Sequence, residues 1–222
     1  MGKAESGPGK EEPRYLAIEG PIGVGKTSLA ERVAKVLSAR MIREPADENP
    51  FLPKFYEDPA RYAFSAQMFF LLNRYRQQQE LLQQDLFQQS TVADYLFDKD
   101  RIFAHLNLSD TELELYEQVY GMLNLRVARP DLVVYLQARP KVLLERIKRR
   151  GLPYEQKLEL KYLERVSAAY SDYFFYYNET PLLSVNTSEI DFMAREEDFE
   201  ALVREIRAVK KGTQHFNPLG SK

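Results

Sequence analysis

The chain of 222 residues contains no cysteine. Disulfides, thiolate metal sites and a cysteine nucleophile are therefore excluded, and a reducing compartment suits it. Its only histidines are His105 and His215, too few for a multi-histidine zinc site. No apolar stretch approaches the roughly 20 residues that cross a bilayer. The opening MGKAESGPGKEEPR also lacks the apolar centre of a secretory signal. An excess of either charge is missing too. With 31 Lys and Arg against 33 Asp and Glu the formal net charge is -2, which argues against a broad nucleic-acid surface, whose affinity comes from clustered cations. Neither nucleic acid nor a membrane is an expected partner, and the expected location is the cytoplasm.

What is present is enough apolar sequence, 44% of residues, for one sizeable core. Residues 1–13 and 211–222 are polar and read as a disordered and a flexible tail; Gly2 and Ser6 also fit the loose N-myristoylation pattern. Between them, β-rich runs at 14–19, 40–43, 90–94, 131–137 and 182–186 alternate with helical patterns at 25–38, 60–88, 110–128, 140–150, 156–177 and 195–210. This alternation predicts an α/β fold, a five-stranded parallel sheet flanked by helices on both faces.

Between the first strand and first helix lies Gly20-Pro21-Ile22-Gly23-Val24-Gly25-Lys26-Thr27, which satisfies G-x-x-x-x-G-K-[ST] in the context that pattern requires. Converging backbone N–H groups and a helix N-terminus suit a polyphosphate. Lys26 can reach its terminal phosphates and the Thr27 hydroxyl can ligate Mg²⁺. The segment is thus a P-loop for a nucleoside triphosphate. Neither N-K-x-D nor D-x-x-G occurs, so a GTPase switch is not expected.

Glu44 follows the second strand at once. A right-handed crossover puts that strand's carboxyl end on the edge that carries the P-loop. A carboxylate there can take the proton of a hydroxyl that attacks the γ-phosphorus; a plain turn residue is the alternative.

Five strings then appear in order: IEGPIGVGKTS, EPADENPFL, FYEDPARYAFSAQMFFLLNR, DYLFDKDRIFA and RIKRRGLPYEQKLELKYLERV. Together they make residues 14–210 resemble the deoxynucleoside kinase family. The resemblance implies a P-loop fold with a short helical lid, and an ATP- and Mg²⁺-dependent phosphorylation of a deoxynucleoside 5′-hydroxyl in nucleotide salvage. It makes Glu44 the general base, Tyr56 the contact of the deoxyribose, and Gln67 the side chain that pairs with the base. Arg74, two helical turns beyond Gln67, shares its face. Asp98 and Asp100 become candidate partners of Arg74 and Phe103 a candidate to stack on the base; a solvated charge cluster is the alternative for the two aspartates. Asp94 takes the magnesium-facing role. Arg146 and Arg150 would close over ATP and take part in catalysis with Lys26, although cations at a helix end read structurally as well. Glu155 would meet the 3′-hydroxyl. An Arg with an acidic partner points to a purine deoxynucleoside or deoxycytidine.

Two departures stand out. Where the family has Glu-Arg-Ser or Asp-Arg-Ser this chain has Asp94-Tyr95-Leu96, so an arginine expected near the transferred phosphate is missing, and a lid arginine is replaced by Leu152. Arg146, Lys148, Arg149 and Arg150 are the cations available to compensate. A thymidylate-type monophosphate kinase and a non-catalytic nucleotide-binding scaffold are the competing readings. The apolar helices at 60–88 and 110–128 exceed what one sheet face covers, which predicts a homodimer.

Overall fold

The computed structural model describes residues 13–84, 90–124 and 126–218. The 1–13 tail apart from Pro13, the Gly2 and Ser6 pattern and the end of the 60–88 helix lie outside them. The elements run β1 (Tyr15–Glu19), α1 (Lys26–Val36), β2 (Arg40–Ile42), α2 (Leu52–Glu57), α3 (Pro59–Gln84), β3 (Thr91–Ala93), α4 (Lys99–Asn107) and α5 (Asp110–Asn124). They continue as β4 (Leu132–Gln137), α6 (Pro140–Arg150), α7 (Leu160–Tyr176), β5 (Leu182–Asn186), α8 (Glu196–Ala208) and β6 (Thr213–Phe216), with 3-10 turns at Ala46–Glu48 and Pro153–Lys157.

All pairings are parallel and the order is β2-β3-β1-β4-β5-β6. The sheet therefore has six strands where the sequence predicted five. The extra strand, β6, falls in the stretch expected to be a flexible tail and pairs Leu182 to Thr213 through Val185 to Phe216. Its residues TQHF are mostly exposed, so no apolar alternation marks it.

The period of two along the central strands divides the core. Leu16, Ile18, Leu132, Val134 and Leu136 pack with Leu29 and Val33 of α1, Leu143 and Ile147 of α6, and Leu202 and Ile206 of α8. Ala17, Val133 and Tyr135 turn the other way, onto Ile102 of α4 and Val166, Tyr170 and Phe174 of α7. Both faces of β1 are thus covered, as a parallel sheet requires. Burying each of these larger side chains contributes about 1.5–3 kcal/mol. Among the described residues no helix is long and apolar enough to cross a membrane.

The chain leaves β1 for β2 on one side of the sheet and later returns past β1 to β4 on the other. The loops after β1, β2 and β3 therefore meet above the carboxyl ends of the strands, beside the point where the winding reverses. A crevice of about 490 Å³ opens there.

Candidate active site

The P-loop forms one wall of this crevice. Gly23 and Gly25 both have positive φ, 82° and 101°, a region that other residues occupy at a cost. At Gly23 a Cβ would also lie 2.6 Å from Ile147 Cγ1. Gly25 caps α1 without any side-chain cap, which leaves the first N–H groups of the helix to an incoming anion. Lys26 Nζ bends back to donate to Gly20 O at 2.7 Å and Pro21 O at 3.2 Å. Burial and then the nearby Lys99 ammonium lower Lys26 to about 8, against the pull of Glu19, Glu44 and Asp94.

Asp94, just past β3, ties that wall to the next. Its Oδ2 accepts from Thr27 Oγ1 at 2.6 Å and its Oδ1 from the backbone N–H of Glu44 at 2.7 Å. Burial raises its pKa, with the Glu44 charge adding to the effect, against the hydrogen bond from Thr27.

Glu44 faces them between two cations. Arg74 Nε donates to Glu44 Oε1 at 2.8 Å, with Nη2 on the same oxygen, and Lys99 Nζ donates to Oε2 at 2.8 Å. Burial would raise Glu44, but Arg74 and then Lys99 overcome it and hold this carboxyl well below the usual carboxylate range. Arg74 itself is 3% exposed and reaches past Glu44 to Asp100, which is fully buried. Gln67 Nε2 donates to Asp100 O at 2.8 Å and to Asp100 Oδ1. The Gln67 amide is thereby oriented with its nitrogen committed, while Asp100 Oδ2 is buried without a hydrogen-bond partner among the described residues. Burial pushes Asp100 up to about 6 despite Arg74.

The remaining wall is mostly aromatic. Tyr56 stacks on Tyr154 of the 153–157 turn, centroids 5.8 Å apart. Next to it Arg150 Nη2 donates to Glu155 Oε1 at 2.6 Å and Arg150 Nε to Oε2 at 3.1 Å. Phe103 lines the crevice and meets Tyr170 edge-on, and Leu152 lines it too.

The fold therefore gathers Lys26, Thr27, Glu44, Tyr56, Gln67, Arg74, Asp94, Phe103, Arg150 and Glu155 around one cavity, with Asp100 directly behind Gln67 and Arg74. Two expected residues are not brought there. Arg146 donates to Thr187 O at 2.8 Å, Thr187 Oγ1 at 3.1 Å, Ile190 O at 3.3 Å and Val24 O at 3.4 Å. It pins the loop after β5 against the back of the P-loop. Asp98 accepts from the Tyr120 hydroxyl and lies 4.0 Å from Arg129, because as the cap residue of α4 it points away from Arg74.

Three features were not foreseen. Lys99 is 4% exposed and paired with Glu44, although DKDR reads as a solvated cluster. Glu19, at the end of β1, is fully buried and accepts from Gly20 N at 2.7 Å, Leu96 N at 2.8 Å and Tyr170 OH at 3.0 Å, fixing the start of the P-loop; an acid closing an apolar strand was its one signal. Tyr95 turns into the core, its ring fully buried and its hydroxyl near Gln78 Nε2, which also donates to Tyr15 OH at 3.1 Å.

Comparison with known proteins fits this geometry. The deoxynucleoside kinase family model matches residues 16–210, and the chain belongs to the deoxynucleoside kinase family. It is 35% identical over 198 residues to the deoxyguanosine kinase of Bacillus subtilis (strain 168), covering 87% of this chain and 96% of that one. It is 32% identical over 214 residues to the deoxyadenosine kinase of Dictyostelium discoideum, covering 94% and 84%. Among solved structures it resembles deoxyadenosine kinase from M. mycoides with products dCMP and a flexible dCDP bound, with a TM-score of 0.75, 25% identity, and 87% and 99% coverage. The chain is accordingly an ATP-dependent deoxynucleoside kinase, rather than a thymidylate-type monophosphate kinase or a non-catalytic scaffold.

Proposed function

We propose that the preferred acceptor is a purine deoxynucleoside, deoxyguanosine or deoxyadenosine, and that Glu44 is the base that takes its 5′-hydroxyl proton. One observation carries Glu44 as the base: it faces Lys26 and Thr27 across a crevice whose other end is the Gln67–Arg74–Asp100 cluster. The purine preference is supported by the likeness to a deoxyguanosine kinase at 35% identity and a deoxyadenosine kinase at 32%. With Gln67 Nε2 held by Asp100, the amide oxygen is the group left for the base, and it accepts from an exocyclic amine or ring N–H. Phe103 and Tyr56 bound the space for base and sugar, and Glu155 stands at the sugar side of the lid.

The P-loop holds the triphosphate and Lys26 meets its terminal phosphates. Arg150 is the lid cation that closes over them. Thr27 and Asp94 are oxygen donors of the kind that would hold a magnesium ion together with the phosphates; no group of three or more acidic or histidine side chains for a metal occurs among the described residues. Bound with ATP, the ion neutralises phosphate charge. A homodimer accounts for the exposed Leu72 of α3 and Leu115 and Met122 of α5, to be read from the molar mass in light scattering.

The test is phosphate transfer from ATP·Mg²⁺ to each of the four deoxynucleosides, with adenosine and dTMP as controls. Purine deoxynucleosides should be the best acceptors, and Glu44→Gln should lower turnover by about 10²–10⁴ while ATP binding stays within threefold. Preference for deoxycytidine would overturn the base assignment; undiminished turnover would remove Glu44 from the mechanism.

A further inference from the structure

The family arginine absent at Tyr95 leaves a question of charge. Phosphoryl transfer needs cations around the migrating group, and nearly all its catalysis is positioning and charge stabilisation. Tyr95 offers none, since its ring lies in the core with Tyr15 and Gln78. Four residues on, the first residue of α4 brings an ammonium group back to the same crevice. Lys99 lines the cavity together with Lys26 and Glu44, is almost fully buried, and donates to Glu44 Oε2 at 2.8 Å.

The pairing is uneven in a way that bears on catalysis. Arg74 serves two carboxylates, Glu44 and Asp100. Lys99 has Glu44 alone as an ion-pair partner among the described residues. When Glu44 takes a proton, Arg74 still has its direct pair with Asp100, while Lys99 keeps only the longer-range fields of Asp100 and Asp94. A buried cation without its paired carboxylate is costly, and the phosphoryl group in flight between donor and acceptor offers it negative charge in the crevice it lines.

We propose that Lys99 is the acceptor-side catalytic cation of this kinase, holding Glu44 for the 5′-hydroxyl and then contacting the transferred phosphoryl group, in place of the arginine missing at Tyr95. This rests on Glu44 as the base. In the step, the 5′-oxygen forms the new bond to the γ-phosphorus and its proton passes to Glu44. The bond from γ-phosphorus to the β–γ bridging oxygen breaks, and its electron pair leaves with ADP. Lys99 changes partner and keeps its proton throughout.

The experiment compares Lys99→Met, Lys99→Gln and Lys99→Arg by steady-state kinetics with ATP·Mg²⁺ and the best deoxynucleoside, with thermal melting of each. Lys99→Gln keeps a hydrogen-bond donor for Glu44 and removes only the charge. The expected result is a kcat loss of at least 50-fold in Lys99→Met and Lys99→Gln, with the KM of both substrates within about fivefold, and recovery to within tenfold of wild type in Lys99→Arg. Tyr95→Phe, a core change, should stay within threefold. A Lys99→Gln enzyme within threefold of wild type, or a Lys99→Arg enzyme no better than Lys99→Gln, would overturn the proposal. If Lys99→Met melts early, Lys99→Gln against Lys99→Arg still decides. Failure of the underlying reading is seen separately, as undiminished turnover in Glu44→Gln.

Discussion

Arg74 and Glu44, 30 residues apart in sequence, are joined through two guanidinium nitrogens on one carboxylate oxygen. This contact ties the long helix α3 to the loop after β2, so the Gln67–Arg74 end and the Glu44 end of the crevice are directly linked. It also sets the protonation of Glu44, whose low pKa persists only while its cations stay. Under the proposed role of Glu44, an arriving 5′-hydroxyl must loosen that grip before the carboxylate takes its proton.

Arg74→Met should be one of the most damaging single changes in the site. It takes away the guanidinium paired with the fully buried Asp100, whose carboxyl must then stay charged without its partner or take up a proton, and breaking such a buried pair costs about 3–5 kcal/mol. Urea unfolding should show a lower midpoint. The double variant Arg74→Met/Asp100→Asn should recover part of the loss, because the stranded charge is then gone.

Asp100 gives stability an unusual pH dependence. Burial raises it to about 6 in the fold, against about 3.9 in an unfolded chain. The folded state therefore favours the protonated form. The stability this contributes is complete below about pH 4 and lost as pH rises through about 6. Asp100→Asn has no such slope. Wild-type stability minus that of Asp100→Asn should fall by about 3 kcal/mol from pH 4 to pH 7.5, measured by urea unfolding at each pH. Glu44 acts with the opposite sign in acid, but it is common to both proteins and cancels to first order.

Arg146 and Arg150, one helical turn apart, should separate cleanly. Arg146 donates to three backbone carbonyls and one hydroxyl, so Arg146→Ala should cost about 1.5–3 kcal/mol of stability and weaken ATP through the loosened P-loop. Arg150 is 47% exposed and pairs with Glu155. Its removal should change stability by less than about 1 kcal/mol yet cut kcat tenfold or more. Melting curves and steady-state kinetics on the two variants distinguish anchor from lid.

Gly23→Ala should lower both stability and ATP affinity. The new Cβ meets Ile147 Cγ1 at 2.6 Å and Leu143 O at 2.9 Å, and the positive φ adds about 1–2 kcal/mol of strain. A melting curve and an ATP titration check it.

Most of the frame was readable in the chain because it is written in burial. The β1, β4 and β5 runs are apolar, and the P-loop has its own eight-residue pattern. The strand β6 escaped because TQHF is mostly exposed, with Phe216 alone of its side chains packing on the core. The short helices α2 and α4 escaped because six and nine residues carry too little periodicity. Lys99 was hidden for a different reason: four charged residues in a row read as solvent-facing, whereas the turn from β3 into α4 buries Asp98, Lys99 and Asp100 and leaves only Arg101 exposed. Arg146 shows the converse, a cation with the right spacing for the lid whose hydrogen bonds are taken by carbonyls of its own chain.

The stack of Tyr56 on Tyr154 joins α2 to the lid turn across the mouth of the crevice. The chain has no tryptophan, so Tyr154→Trp would place the sole indole on that turn. Its emission would then report the surroundings of the turn against a background that contains no other indole. Any rearrangement of that turn on binding ATP or a deoxynucleoside would be followed in real time without attaching a dye.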